Sequence, residues 1–292
     1  MVYHIIYNPV AGHGLSTKNW MLIREFLKNI DFKYELHETK SEGHAEVITR
    51  FLTSKTNQIT IICLGGDGTL SEVVNGIEHF ENVTLGCVPC GSGNDFALAT
   101  KIPLHDPIAA IKFIITNTSR QINFIDINGK RCINVCGFGL DTEVLKLYYK
   151  MKGIPNKMRY NLATIIKTLF FKWHNSEVRV DGGPWTTLTT LMLTIGNGMA
   201  IGGGIKMCPL AKIDDDYLDF TCINKFPRIK VMWALKKAMD GKVLKLRFAK
   251  SVKCKSLEIK IPNKTYQRDG IIVQGESLMK ISLAKEKINF IG

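Results

Sequence analysis

The chain predicts an α/β domain with a mostly parallel sheet, followed by a second domain of mostly antiparallel strands. Three observations carry this reading. Short apolar runs without polar alternation, such as Ile59-Thr60-Ile61-Ile62-Cys63-Leu64, have the texture of strands buried on both faces. These runs alternate with segments of helical spacing, such as Leu70, Val73, Val74 and Ile77, up to about residue 127. Beyond Ile127 strand-like runs dominate, and Asn128-Gly129 reads as a hairpin turn.

The elements follow in order. Val2–Asn8 reads as a strand, and Ser16–Asn29 as a helix turning Trp20, Ile23 and Phe26 or Leu27 inward. Tyr34–Thr39 is a strand, His44–Ser54 a helix, Ile59–Leu64 a strand, Leu70–Phe80 a helix and Val83–Pro89 a strand. Asp106 and Pro107 predict an N-cap and first turn for a helix over Ile108–Thr116. In the second half, strands are expected at Cys132–Gly137, Glu177–Val180, Leu188–Ile195, Leu218–Ile223, Ser256–Ile261, Ile271–Gln274 and Leu278–Leu283. Helical interruptions are expected at about Thr142–Trp173 and Arg228–Asp240. The division is 1–127, joined by 285–292, and 128–284.

With 292 residues the chain has room for two domains. No apolar run approaches the roughly 18 residues that span a bilayer, and the N-terminus lacks a basic leader, so a cytoplasmic protein is expected. The net charge is +13, and Lys225–Lys260 holds twelve Lys or Arg against Asp240 and Glu258. No zinc finger, RNP pattern or basic heptad helix accompanies this surplus, which argues against nucleic acid. Near Trp233 the basic residues suit peripheral attachment at a lipid surface, with a solvated basic face as the plain alternative. The eight cysteines lie mostly in apolar runs and read as reduced core residues. Cys87, Cys90, Cys132 and Cys136 have zinc-like spacing, but in strands they favour the core reading.

The strongest motif is Gly65-Gly66-Asp67-Gly68-Thr69, on a strand-to-helix turn. Glycines there let backbone N–H groups approach an anion, and a helix N-terminus adds partial positive charge. A carboxylate among them would repel phosphate unless a metal or a transferring proton intervenes, so Asp67 points to Mg²⁺-assisted phosphoryl transfer. An exposed Asp in a tight turn is the plain alternative. Other small-residue segments close neighbouring strands: Asn8-Pro9-Val10-Ala11-Gly12-His13-Gly14, Thr39 ahead of Gly43-His44-Ala45, and Gly91-Ser92-Gly93-Asn94-Asp95-Phe96-Ala97. Ile195-Gly196-Asn197-Gly198, Gly202-Gly203-Gly204 and Pro209–Asp219 follow in the second half.

In this order, these segments resemble the diacylglycerol kinase catalytic family, which includes sphingosine and ceramide kinases and bacterial lipid kinases. The resemblance covers essentially the whole chain. It implies a Rossmann-like first domain of the NAD kinase and phosphofructokinase kind and a β-sandwich-like second domain, with the nucleotide between them. It implies that Asn8, Pro9, Val10, Ala11, Gly12, Thr39, Gly65, Gly66, Asp67, Gly68, Thr69, Leu70, Ser71 and Ser92 contact ATP. Asp67, with Asp141, would hold the catalytic Mg²⁺ through water. Lys212 and Tyr217, through carbonyls, and Asp215, through its carboxylate, would hold a structural Mg²⁺. Glu276 would be the general base that accepts the proton of a lipid hydroxyl.

The implied activity is ATP-dependent phosphorylation of diacylglycerol to phosphatidic acid, by a peripheral, homodimeric enzyme. Three positions depart from the family pattern: Gln274 replaces the Asp of Asp-Gly-Glu, Ser71 a common Asn, and Asp216 a common Gly. They leave open a catalytically weakened nucleotide- or lipid-binding regulator. Phosphatidylglycerol and sphingoid bases stay open as substrates. An NAD kinase would need dinucleotide-reading residues that the chain does not display.

Overall fold

The computed structural model describes residues 2–55, 57–151, 153–261 and 264–292. Lys152, inside the segment expected to be helical, lies outside the described residues. The chain divides into two compact units, Met1–Asn123 with Lys285–Gly292, and Phe124–Ala284.

The first unit contains β1 (Tyr3–Tyr7), α1 (Leu15–Leu27), β2 (Tyr34–Glu38), α2 (His44–Thr53), β3 (Ile59–Gly65), α3 (Asp67–Gly76), β4 (Val83–Pro89), α4 (Pro107–Thr116) and β5 (Arg120–Ile122). A strand at Ile288–Ile291 returns to this unit beside β4. The sheet order is β2-β1-β3-β4, then the Ile288–Ile291 strand, then β5. All pairings are parallel except that of β5. Ile61, Ile62, Leu64, Leu85 and Val88 are wholly buried, as strands covered on both faces require. Asp106 caps α4 by accepting from the Ile108 and Ala109 N–H groups, with Pro107 in the first turn.

In this order β1 and β3 are neighbours from which the chain departs in opposite directions along the sheet. Such a switch point opens a crevice at the carboxyl ends of the strands, where parallel sheets receive ligands. Helix α3 begins at Asp67, three residues earlier than its apolar spacing predicts, because the glycine turn is itself the helix start.

The second unit contains β6 (Ile125–Ile127), β7 (Lys130–Cys132), β8 (Val135–Gly139), α5 (Leu140–Lys150), α6 (Asn156–Phe170), β9 (His174–Val180), β10 (Thr186–Gly196), β11 (Leu218–Asn224), α7 (Val231–Met239), β12 (Ala249–Cys254), β13 (Ser256–Lys260), β14 (Thr265–Arg268), β15 (Ile271–Gln274) and β16 (Leu278–Leu283). Every pairing is antiparallel. The long strand β10 pairs with β9 through Thr186–Thr190 and with β8 through Met192–Gly196, while β11 runs along its other edge. β6 pairs with β16, so the division of the chain falls before Phe124, ahead of the expected position at 127. Two apolar clusters result. One is built from strand residues such as Phe138, Leu193, Leu257 and Ile281, and the other lies where α5, α6 and α7 cover β10 and β11.

The expected strand Cys132–Gly137 is two strands, with Cys132 closing β7 and Cys136 inside β8. Its interruption is organised by Asp269, a buried carboxylate that accepts from the Ile133, Asn134 and Val135 N–H groups and from the Cys132 thiol. All eight cysteines are free and buried, as expected of reduced core residues. Burial raises the Cys63, Cys87, Cys132 and Cys136 thiols, which removes thiolate character.

Asp269→Ala strips three buried N–H groups of their acceptor. It should lower unfolding stability by about 3 kcal/mol, read as a reduced urea midpoint with little change in slope.

Candidate functional site: the glycine loops and the apolar cavity

In the first unit the loops that follow β1, β3 and β4 are joined by hydrogen bonds. Asn8 donates through Nδ2 to Thr69 Oγ1 at 2.9 Å, tying the first loop to the start of α3. Asp67 accepts from the Asp95 N–H at 3.1 Å and the Phe96 N–H at 3.0 Å, one on each carboxylate oxygen. The Cys90 N–H donates to Gly65 O at 2.8 Å, and the Asn94 side chain accepts from Gly91 N–H at 2.7 Å. Gly66 and Gly91 touch backbone to backbone: a Cβ on Gly66 would sit 2.9 Å from the Gly91 Cα. Gly12 has φ +59°, and a Cβ there would lie 2.1 Å from Cys90 O, so only glycine fits.

The expected nucleotide residues fall into distinct places. Asn8, Pro9, Gly66, Asp67 and Gly68 are half-buried at the loop mouths, and Val10 and Ser92 are exposed. Thr39 is buried and linked to the end of β1 through its N–H on Tyr7 O. Leu70 and Ser71 lie in the first turns of α3 with their side chains in the interior, so a phosphate could meet only their backbone.

One organising residue escaped the sequence reading. Glu72 reaches across from α3 to accept from the Gly43 and Ala45 N–H groups, capping α2 and holding the loop after Thr39. A signal existed: α2 begins at a glycine N-cap with no side-chain acceptor of its own, so its N–H groups need a partner from elsewhere.

Asp67 fits a water-mediated Mg²⁺ role. Each of its carboxylate oxygens accepts one backbone N–H, and the residue is half-buried rather than sealed, so a hydrated ion can approach it. Asp141, expected beside it as a second metal partner, has a different environment. In the second unit it is 2% exposed at the start of α5, and Oδ2 accepts no well-formed hydrogen bond among the described residues. Burial pushes its carboxyl up to about 7, opposed in part by the Thr142 N–H and the Gln267 amide. A carboxyl raised this far by burial carries a proton far more readily than an ordinary aspartate, and its protonated form can donate a hydrogen bond.

Lys212, Asp215 and Tyr217 do not form an open divalent site. Asp215 Oδ1 accepts the Tyr217 N–H at 3.2 Å, and Oδ2 is bound by the Lys253 ammonium. Lys253 also lies 5.7 Å from the Tyr217 ring centroid, and Lys212 is exposed. An ammonium therefore neutralises the carboxylate that the structural Mg²⁺ was expected to use.

Asp141 lines a cavity under α5, α6 and α7. Its wall is apolar, with Val144, Leu191, Met192, Ile223, Phe226 and Leu235 among the lining residues, and Thr164 and Thr168 add hydroxyls. No local pattern in the chain announces this space, because its lining comes from elements far apart in sequence. Glu276 sits in the turn between β15 and β16 and is exposed, and Gln274, which closes β15, is exposed as well.

The diacylglycerol kinase catalytic domain model matches residues 2–127. The YegS C-terminal NAD kinase beta sandwich-like domain model matches residues 134–286, more than half of the chain. The chain belongs to the diacylglycerol kinase-like lipid kinase family. It is 29% identical over 224 residues to the diacylglycerol kinase of Bacillus subtilis, covering 76% of this chain and 73% of that one. It is 28% identical to the diacylglycerol kinase of Staphylococcus carnosus, over 76% and 72% of the two chains. A diacylglycerol kinase crystal structure from Bacillus anthracis superposes with a TM-score of 0.75 at 25% identity, covering 99% of this chain and 96% of that one. This diacylglycerol kinase-like protein is thus a lipid kinase, a phosphotransferase, and among its described residues no helix is long and apolar enough to cross a membrane.

The buried carboxyl of Asp141 sets a pH dependence. Its folded value lies above the ordinary carboxylate value of 3.8, so the folded state holds the proton more tightly than the unfolded chain does. The contribution is complete below the ordinary value and is lost as pH rises toward about 7. Asp141→Asn should therefore flatten the decline in stability between pH 4 and 7, and unfold at higher temperature than the parent at pH 8.

Proposed function

We propose that this protein transfers the γ-phosphoryl group of ATP to the free hydroxyl of diacylglycerol, giving phosphatidic acid. The observation that carries the lipid half of this reading is the apolar cavity under α5–α7, whose one carboxyl among the lining residues is Asp141. Its wall of aliphatic and aromatic side chains suits acyl chain better than a soluble dinucleotide. Asp141, in its protonated form, can donate a hydrogen bond to an ester or hydroxyl oxygen without carrying charge into the cavity. We assign nucleotide binding to residues 1–127 with 285–292, and lipid binding to 128–284.

In this reading the residues of the first unit position phosphate. The N–H groups of the Gly65–Thr69 turn and the N-terminus of α3 bind phosphate oxygens, and the Asn8–Gly12 loop, tied to Thr69, packs around them. Mg²⁺, when bound, neutralises charge on the β- and γ-phosphoryl oxygens. Asp67, fixed by the 95 and 96 amides, orients the metal's water shell. Glu276, exposed to solvent, takes the proton from the attacking lipid hydroxyl.

Surface attachment is supported by an apolar group on the second unit. Phe170 is 77% exposed and Ile229 88%, and Met232 and Trp233 are exposed on α7. Arg228 donates to the Leu169 and Phe171 carbonyls on either side of Phe170, which places Ile229 close by. Lys230, Lys236 and Lys237 flank them, so the patch can enter an interface while the cations face anionic headgroups.

Labelled ATP and Mg²⁺ should give phosphatidic acid from diacylglycerol in mixed micelles, tested beside phosphatidylglycerol, a sphingoid base and soluble NAD. Glu276→Gln should lower kcat by about 10²-fold or more with little change in KM for ATP. Full activity in that variant removes Glu276 as base. Ala234→Trp, on the cavity wall, should cut kcat/KM for long-chain diacylglycerol more than for short-chain forms; an equal loss for both argues against acyl chains in the cavity. ATP binding without transfer to any of these acceptors would favour the regulator.

A further inference from the structure

Three side chains with metal-binding atoms, none of them among the residues assigned to nucleotide or lipid, converge on one face of the first unit's sheet. His4 lies on β1, and Glu35 and His37 lie on the edge strand β2. The parallel register places His4 opposite Glu35, and the two-residue strand period puts His37 on the same face. The sequence offers no contiguous motif for this group, because it forms only when β1 and β2 pair.

The donor atoms are close together. His4 Nδ1 lies 3.1 Å from His37 Nε2 and 3.5 Å from Glu35 Oε2, and His37 Nε2 lies 3.9 Å from Glu35 Oε2. A tetrahedral metal with bonds of about 2.0–2.1 Å to nitrogen and oxygen needs donor separations of about 3.3 Å. The circle through the three observed atoms has a radius of about 2.05 Å, so one point lies within bonding distance of all of them. The imidazoles are half-buried, with side-chain exposures of 17% for His4 and 23% for His37, and their planes differ by 25° with centroids 5.4 Å apart, so the two nitrogens face each other nearly head-on. Glu35 is 61% exposed, which leaves an approach for an ion and room for a water in the fourth position.

We infer that His4, Glu35 and His37 form a binding site for a borderline divalent transition metal of the Zn²⁺ type. Two imidazoles and one carboxylate suit Zn²⁺ or Co²⁺ and not Mg²⁺, which prefers six oxygen ligands. The metal-free arrangement places two ring nitrogens against each other; a modest rotation of the rings turns both lone pairs to the ion, and Glu35 adds the carboxylate charge. Bound there, it clamps the edge strand β2 to β1. Those strands run directly into Thr39 and Asn8, and the Thr39 N–H already rests on Tyr7 O. The site is therefore a structural clasp beside the nucleotide loops, separate from the residues assigned to transfer.

Calorimetric titration of metal-stripped protein with Zn²⁺, without nucleotide, tests the site. One Zn²⁺ per chain should bind, unaffected by excess Mg²⁺, and raise the melting temperature in a way that a chelator reverses. Co²⁺ should give the intense visible bands of a four-coordinate ion. His37→Gln and Glu35→Gln should each weaken Zn²⁺ binding, the first by about 100-fold or more, beyond what losing an orienting neighbour alone costs. Absence of a stoichiometric Zn²⁺ site in the parent protein overturns the inference. So does equal affinity in the parent and in folded His37→Gln protein, which would put the ion elsewhere.

Discussion

The first unit depends on one carboxylate. Asp67 opens α3 and accepts the amides of residues 95 and 96, so two glycine loops that follow different strands behave as one body. Hydrogen bonds to a charged acceptor are worth about 1.5–3 kcal/mol each, more than the neutral bonds around them. The joined loops can sit close because Gly66 and Gly91 present no side chains to each other. Asn8 and Cys90 extend the same connection to the neighbouring strand ends. A residue whose sequence context looks merely acidic thus fixes the backbone amides that a phosphate would meet.

The second unit solves the opposite problem, keeping polar groups away from an apolar space. Asp269 gathers the amides between β7 and β8, and Asn197 donates to Ile133 O while its own N–H rests on Asn134 O. These contacts satisfy the irregular backbone where the Ile195–Gly198 segment leaves β10. With that backbone pinned, α5, α6 and α7 can stand over β10 and β11 with mostly aliphatic and aromatic side chains between them. Asp141 is the exception, and its shifted ionisation is the cost of placing a carboxyl in that wall.

The sequence disclosed what local chemistry controls. β4, β15 and β16 have the expected limits, and α4 shows its Asp-Pro start. The glycine segments fall at the carboxyl ends of parallel strands, as their spacing after apolar runs indicated. What stayed hidden depends on partners distant in sequence. β12 and β14 carry lysines, glutamine and arginine among their residues and are strands because β11, β8 and β15 flank them. Glu72 reads as an exposed helix residue until α2 lies beside α3. Lys253 reaches Asp215 only once β12 pairs with β11, and the acidic turn alone gave no hint of that ammonium.

The return of Ile288–Ile291 to the first sheet has a temporal meaning. β4 and β5 both lean on that strand, β4 along one edge and β5 along the other. A ribosome emits β1–β5 long before it emits their shared neighbour, with all of 124–284 in between. Until then β4 presents an unmatched row of peptide groups to its surroundings, and β5 has no strand partner among the described residues. Completion of the first unit therefore waits for residues 288–291, and a product halted just short of them would keep an adhesive strand border.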